Sequence, residues 1–121
     1  MKKLLFICTA NLQRSPTAEK LFADCPDIET KSAVTNALHG MQVTQEIIDW
    51  ADMTFVMSEA KEGHLTYLKE HFSLEGKQVH DLDIPDVYMV HSKELKQALI
   101  EKVSKYVELK NCLDILLRKI K

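Results

Sequence analysis

Apolar residues in this chain fall into short unbroken runs, and between the runs lie mixed stretches in which apolar positions recur every three or four residues. Leu4 to Cys8 is the first run, the pattern of a strand buried on both faces. A polar stretch follows. Ser15-Pro16 then reads as a helix start, with Ser as N-cap and Pro at the first helical position. Ala18, Leu21 and Phe22 supply its apolar stripe, and Asp24-Cys25-Pro26 its stop. Ile28 to Val34 predicts a second strand, Thr44 caps a helix running to Trp50, and Met53 to Met57 is another buried run. Ser58 to Phe72 reads as a helix with Gly63 as its weak point. Gln78 to Ile84 is a last strand, broken by Pro85. Ser92 to Lys121 carries Leu95, Leu99, Val103, Tyr106, Val107, Leu113, Leu116 and Ile120 at helical spacing. This alternation predicts a three-layer α/β/α fold with a central parallel sheet of about four strands, as a single domain over residues 1–121. As one straight helix, the last segment would run about 45 Å, against a radius of gyration near 14 Å for a domain of this size. Either it breaks near Asn111, or its distal end packs on a second copy of the chain through Leu113, Leu116, Leu117 and Ile120.

Composition narrows the partners. The formal net charge of −2 supplies no basic field for nucleic acid or an anionic membrane. No run approaches the roughly 20 apolar residues of a membrane span. The opening Met1-Lys2-Lys3 and the apolar run after it imitate a signal peptide, but the run is too short and Ile7 too large for a cleavage site. The three cysteines, Cys8, Cys25 and Cys112, show no regular spacing. They do not predict a disulfide framework, and a reducing cytoplasm is the expected compartment.

The chemistry concentrates in Cys8-Thr9-Ala10-Asn11-Leu12-Gln13-Arg14-Ser15, a Cys-x5-Arg-Ser loop between a buried strand and a helix N-terminus. A phosphate ester presents three non-bridging oxygens. A loop curled around them can aim successive backbone N–H groups inward while the helix dipole adds positive potential. Arg14 can grip two oxygens with its planar fork, a geometry closed to Lys. The choice is pointed, because Arg14 and Arg118 are the only arginines among 16 basic residues. The same potential favours the nucleophilic thiolate of Cys8, and Ser15 is placed to donate its hydroxyl to that sulfur. Ligands of open parallel sheets bind at the carboxyl ends of strands, where this loop sits. The bland alternative is a core Cys8, a capping Ser15 and a solvated Arg14.

Here the sequence resembles the low-molecular-weight protein tyrosine phosphatase family, whose loop reads Cys-x-Gly-Asn-x-Cys-Arg-Ser-Pro before a helix beginning x-Ala-Glu. Lys31-Ser32-Ala33, Gln42-Val43-Thr44, Met57-Ser58-Glu59 and Pro85-Asp86-Val87-Tyr88 match further family segments in order. The likeness is strongest to a short bacterial branch ending Asp-Ile-Pro-Asp-x-Tyr, here Asp83 to Tyr88. The resemblance implies a cofactor-free hydrolase of phosphomonoesters, foremost protein phosphotyrosine, working through a phosphocysteine. Its partners would be phosphorylated proteins or small phosphate esters. It makes Cys8 the nucleophile and Arg14 the transition-state clamp, with Thr9, Ala10, Asn11, Leu12, Gln13 and Ser15 around the phosphate. Asp86 becomes the general acid, with Asp81 and Asp83 as competitors that would share one strand face. Asn11 and Ser32 brace the loop, and Tyr88 lines the pocket. Leu12 favours an aryl phosphate, since bacterial relatives that act on phosphoarginine tend to carry Thr there. Ala10 replaces the usual loop Gly, and Gln13 replaces a second loop Cys that protects the nucleophile. The stretch between Ala33 and Gln42 is shorter than in longer members.

Three rival readings remain. A non-catalytic phosphate-binding module would keep Arg14 and the loop amides. An arsenate-reductase-like redox enzyme needs two further cysteines close in sequence, whereas Cys25 and Cys112 are far apart. A metal site from His80, Asp81, Asp83 and His91 follows no regular ligand spacing, so no metal is expected. His39, His64 and His71 are expected on solvated faces.

Overall fold

A computed structural model describes residues 2–8, 14–26, 28–35, 42–58, 63–84, 92–106 and 109–120. The elements are β1 (Lys2–Cys8), α1 (Arg14–Ala23), β2 (Ile28–Val34), α2 (Gln45–Trp50), β3 (Met53–Val56), α3 (His64–His71), β4 (Gln78–Asp81), α4 (Lys93–Val103) and α5 (Lys110–Ile120). The four strands form one open, wholly parallel sheet in the order β2-β1-β3-β4. Cys8 pairs with Val34, and Ile7 pairs with both Ala33 and Val56. The chain leaves β1 toward β2 and returns past it to β3, so the crossovers change direction at β1. Because parallel crossovers are right-handed, that reversal puts α1 on one face and α2 and α3 on the other.

Alternation along the central strands sends side chains into two separate cores. Leu4, Phe6, Cys8, Met53, Phe55 and Met57 face α1, α4 and α5, while Leu5, Ile7, Val56, Ile47, Ile48 and Leu68 form the core beneath α2 and α3. In the first core Phe6 stacks on Phe22 and Phe55 at 5.4 and 5.5 Å between ring centroids, and Tyr106 meets Phe55 edge-on. Each such buried ring contributes on the order of 2–3 kcal/mol.

The predicted cap holds at α2, and the structure adds one at α4 that the sequence pattern did not predict. Thr44 accepts from the Ile47 N–H at 3.2 Å and Ser92 from the Leu95 N–H at 3.1 Å. Helix α1 starts earlier than the Ser-Pro signal implies: Arg14 and Ser15 already belong to its first turn, and Pro16 sits in that turn, where a missing N–H costs nothing. The predicted helix from Ser58 begins, within the described residues, only at His64, after Gly63 in the left-handed region.

The last helical segment breaks at Ser104–Tyr106, earlier than Asn111, and folds back on its own chain. Leu109, Cys112, Leu113 and Leu116 are buried in the first core. Leu113 and Leu116 are therefore not exposed for a contact with a second copy. The side chains of Leu117 and Ile120 lie outside the described residues. Among the described residues no helix is long and apolar enough to cross a membrane.

The cysteines pair against expectation. Cys25 and Cys112 form a disulfide with their Cα atoms 5.4 Å apart, although 87 positions separate them in sequence. Helix α5, folded back over α1, lays the start of its first turns beside the loop that ends α1. The cysteine pattern therefore no longer argues for a reducing compartment.

Candidate active site

Cys8 is the last residue of β1 and the cysteine that takes no part in the disulfide, with 2% of its surface exposed. Its carbonyl accepts from the Thr35 N–H at 3.1 Å, while the carbonyl of Ile7 accepts from the Met57 N–H at 3.0 Å. Both flanks of the strand end are thus held by neighbours. Helix α1 begins at Arg14 and runs back antiparallel to β1, so its N-terminal amides and the positive end of its dipole lie at the carboxyl edge of the sheet. The crossover direction changes at this strand, which makes its carboxyl end the switch point where open parallel sheets bind ligands. The fold therefore brings together a buried thiol and a helix N-terminus at the place where an anion is best stabilised.

Of the site residues expected from sequence, Cys8 and Ser32 are described in full. Thr9, Ala10, Asn11, Leu12, Gln13, Asp86 and Tyr88 lie outside the described residues, as do the side chains of Arg14 and Ser15. Ser32 is buried, and its hydroxyl donates to Glu19 Oε1 at 2.8 Å; the Thr30 hydroxyl donates to the Glu19 carbonyl at 2.8 Å. Glu19 thus locks α1 to β2 from the helix side.

On the other flank the ladder outlasts the assigned strands. The Leu82 N–H donates to Val56 at 2.9 Å and the Ile84 N–H to Met57 at 2.7 Å. Ile84 is consequently anchored at the same sheet edge as Cys8, two strand spacings or roughly 10 Å across. Asp81 and Asp83 do not share a strand face as expected. Asp83 takes a left-handed conformation with φ 52°, and its N–H donates to Asp81 Oδ1 at 2.9 Å. That is an Asx-type turn, which Asp tolerates better than most residues. It occupies one oxygen of Asp81 and leaves Asp83 exposed.

His64 corrects another expectation. It is only 1% exposed, and its Nδ1 accepts from the buried Ser58 N–H at 3.1 Å. A ring accepting at Nδ1 carries its proton, when neutral, on Nε2. Sequence periodicity could not reveal this, because His64 opens its helix and belongs to no apolar stripe. His71 is exposed, as expected. Among the described residues no group of three or more His, Cys, Asp or Glu side chains is gathered as metal ligands would be.

No protein-family model matches the chain. No curated protein matches it either. Solved structures do. The Wzb protein of Vibrio vulnificus, solved with benzylphosphonate, superposes with a TM-score of 0.69 at 22% identity, covering 88% of this chain and 97% of the other. SP-PTP, a low-molecular-weight protein tyrosine phosphatase of Streptococcus pyogenes, gives 0.66 at 17% identity over 88% and 94%. The YwlE arginine phosphatase of Geobacillus stearothermophilus gives 0.54 at 24% identity over 99% and 93%. The chain has the fold of the low-molecular-weight protein tyrosine phosphatases.

Proposed function

We propose that this chain is a phosphatase that hydrolyses phosphomonoesters, protein phosphotyrosine foremost, through a covalent phosphocysteine. The observation that supports it best is the buried Cys8, outside the disulfide and at the end of β1, with helix α1 beginning at Arg14 on the same edge. The Cys8 thiolate attacks phosphorus in line with the ester oxygen. The sulfur–phosphorus bond forms as the phosphorus–oxygen bond breaks, and Asp86 gives its proton to the departing oxygen. The resulting Asp86 carboxylate then takes a proton from water, which attacks the phosphocysteine, releases inorganic phosphate and restores the thiolate. Arg14, the amides of residues 9–13 and the helix dipole hold the charge spread over the three equatorial oxygens. Leu12 offers an apolar wall that rewards burial of an aryl ring and gives a guanidino group no partner.

The deciding experiment is a turnover screen over phosphotyrosine peptides, phosphoarginine peptides and small phosphate esters, with Cys8→Ser as the blank. The expected result is turnover of phosphotyrosine peptides that falls on the order of 10⁴-fold or more in the blank. Comparable kcat/KM on phosphoarginine would remove the aryl preference. Binding of phosphate without turnover of any ester would make the chain a phosphate-binding module.

A further inference from the structure

The segment Gln42-Val43-Thr44 has one role already, the Thr44 cap, but Gln42 does something separate. The chain re-enters the sheet at Gln42, which bridges to Val34, and the Val43 N–H donates to the Val34 carbonyl at 2.9 Å. The amide nitrogen of Gln42 then contacts two acceptors: the Thr35 carbonyl at 3.4 Å and the Tyr67 hydroxyl at 3.2 Å. An amide nitrogen has two hydrogens, so one goes to each. Thr35 is thereby held at both backbone groups, its carbonyl by Gln42 and its N–H by the carbonyl of Cys8 at 3.1 Å. Tyr67 is itself fixed, with its ring stacked on His71 at 4.2 Å and its N–H bonded to the Gly63 carbonyl at 2.9 Å.

We infer that Gln42, held by Tyr67, is a positioning residue for the nucleophile, acting through Thr35 on the carbonyl of Cys8. A trans peptide is planar, so fixing that carbonyl fixes the plane of the peptide with which the Cys-x5-Arg segment begins. Small rotations of that plane re-aim the thiol and the start of the segment together, and displacements below an ångström at a reacting group cost rate. Helix α3 is the common support. It reaches the β2 flank of Cys8 through Tyr67 and the β3 flank through the Ser58–His64 bond at 3.1 Å. Neither Glu, which lacks the donor, nor Asn, which is one methylene shorter, reproduces the double contact of Gln42.

The kinetic part of this inference rests on the proposed phosphatase activity, so the test reads both turnover and a property independent of it. Gln42→Leu, Tyr67→Phe and the double variant are compared with the unaltered chain. The readouts are kcat and KM on an aryl phosphate, the rate of Cys8 alkylation by iodoacetamide, and the concentration of inorganic phosphate that protects against it. Gln42→Leu is expected to lower kcat about three- to tenfold and to raise KM and the protecting phosphate concentration together, by about two- to threefold. Tyr67→Phe loses less, about twofold, since the contact to Thr35 survives. The double variant matches Gln42→Leu, because Tyr67 acts only through Gln42. Additive losses would overturn the inference, as would a lowered melting temperature with kcat, alkylation and phosphate protection unchanged. If the unaltered chain turns over no ester, the proposed function fails, and alkylation with phosphate protection alone decides the role of Gln42.

Discussion

At the amino edge of the sheet the Lys3 N–H donates to Asp52 Oδ2 and the Asp52 N–H returns to the Lys3 carbonyl, both at 2.8 Å, and the Cys25–Cys112 disulfide ties α5 to the end of α1. At the carboxyl edge, beside the backbone bonds of Thr35 and Met57, the ties are hydrogen bonds that involve polar side chains: the Ser32 hydroxyl to Glu19, the Gln42 amide to Thr35 and Tyr67, and the Ser58 N–H to the His64 ring. The disulfide resists unfolding without caring about geometry to a fraction of an ångström. The side-chain hydrogen bonds contribute about 1 kcal/mol apiece and mainly fix orientation. The difference separates the labour: changes at the amino edge are expected to lower stability and leave turnover intact, and changes at the carboxyl edge the reverse.

The largest expected effect tests the carboxyl side. Asp86→Asn removes the proton donor proposed for the leaving oxygen, so phosphotyrosine hydrolysis should fall on the order of 10²–10⁴-fold. An aryl phosphate with strongly withdrawing substituents leaves readily as an anion and should lose far less. The melting temperature should stay near that of the unaltered chain. Equal losses on the two substrates would move the acid to another residue, with Asp83 the next to change.

The amino side is tested by reduction. Opening the Cys25–Cys112 bond, with a dithiol or by replacing both residues with Ala, should lower the unfolding free energy by about 2–4 kcal/mol, as expected for a long closed loop. Turnover well below the melting temperature should change less than about twofold, since the bond lies at the far end of α1 and β1, roughly 15–20 Å from Cys8. The same distance removes Cys25 as a rescuer of an oxidised nucleophile. Mild peroxide should give a Cys8 sulfenic acid recoverable with added thiol, and stronger oxidation a loss that thiol does not reverse. A Cys8–Cys25 disulfide in the peptide map would break the separation of the two edges.

What the sequence made legible follows the range of the interactions involved. The runs Leu4–Cys8, Ile28–Val34 and Met53–Met57, and the cap at Thr44, are written in neighbouring residues, and they appear within a residue or two as β1 (Lys2–Cys8), β2 (Ile28–Val34), β3 (Met53–Val56) and the start of α2. Cys8 and Ser32 could be singled out as candidates because short motifs carry them. The Cys25–Cys112 pairing could not, because it exists only once α5 folds back over α1. The burial of His64 depends in the same way on where the end of β3 comes to rest. Asp83 escaped strand alternation for a local reason that periodicity ignores: its φ of 52° turns the chain out of the ladder for one residue before Ile84 rejoins it.

The smallest expected effect lies at Gly63, at the head of α3. Its φ of 66° is left-handed, and a Cβ added there would meet nothing within 4 Å. Substitution therefore carries a backbone cost and no steric one. Gly63→Ala should lower stability by about 1–2 kcal/mol, the penalty of an L-residue in that region. Gly63→Asn should recover much of the loss, because Asn visits left-handed conformations more readily. The helix that Gly63 opens supplies both His64 and Tyr67 to the flanks of Cys8, and a variant that keeps the left-handed turn keeps both contacts. Chemical denaturation and turnover at 25 °C should accordingly diverge, with stability reduced and kcat within about twofold for either variant. An equal cost for Ala and Asn would show that the left-handed turn is not the constraint. A several-fold loss of kcat in a folded Gly63→Asn would mean that the start of α3 governs the site directly, and the carboxyl edge would then answer to backbone geometry as well as to its side-chain hydrogen bonds.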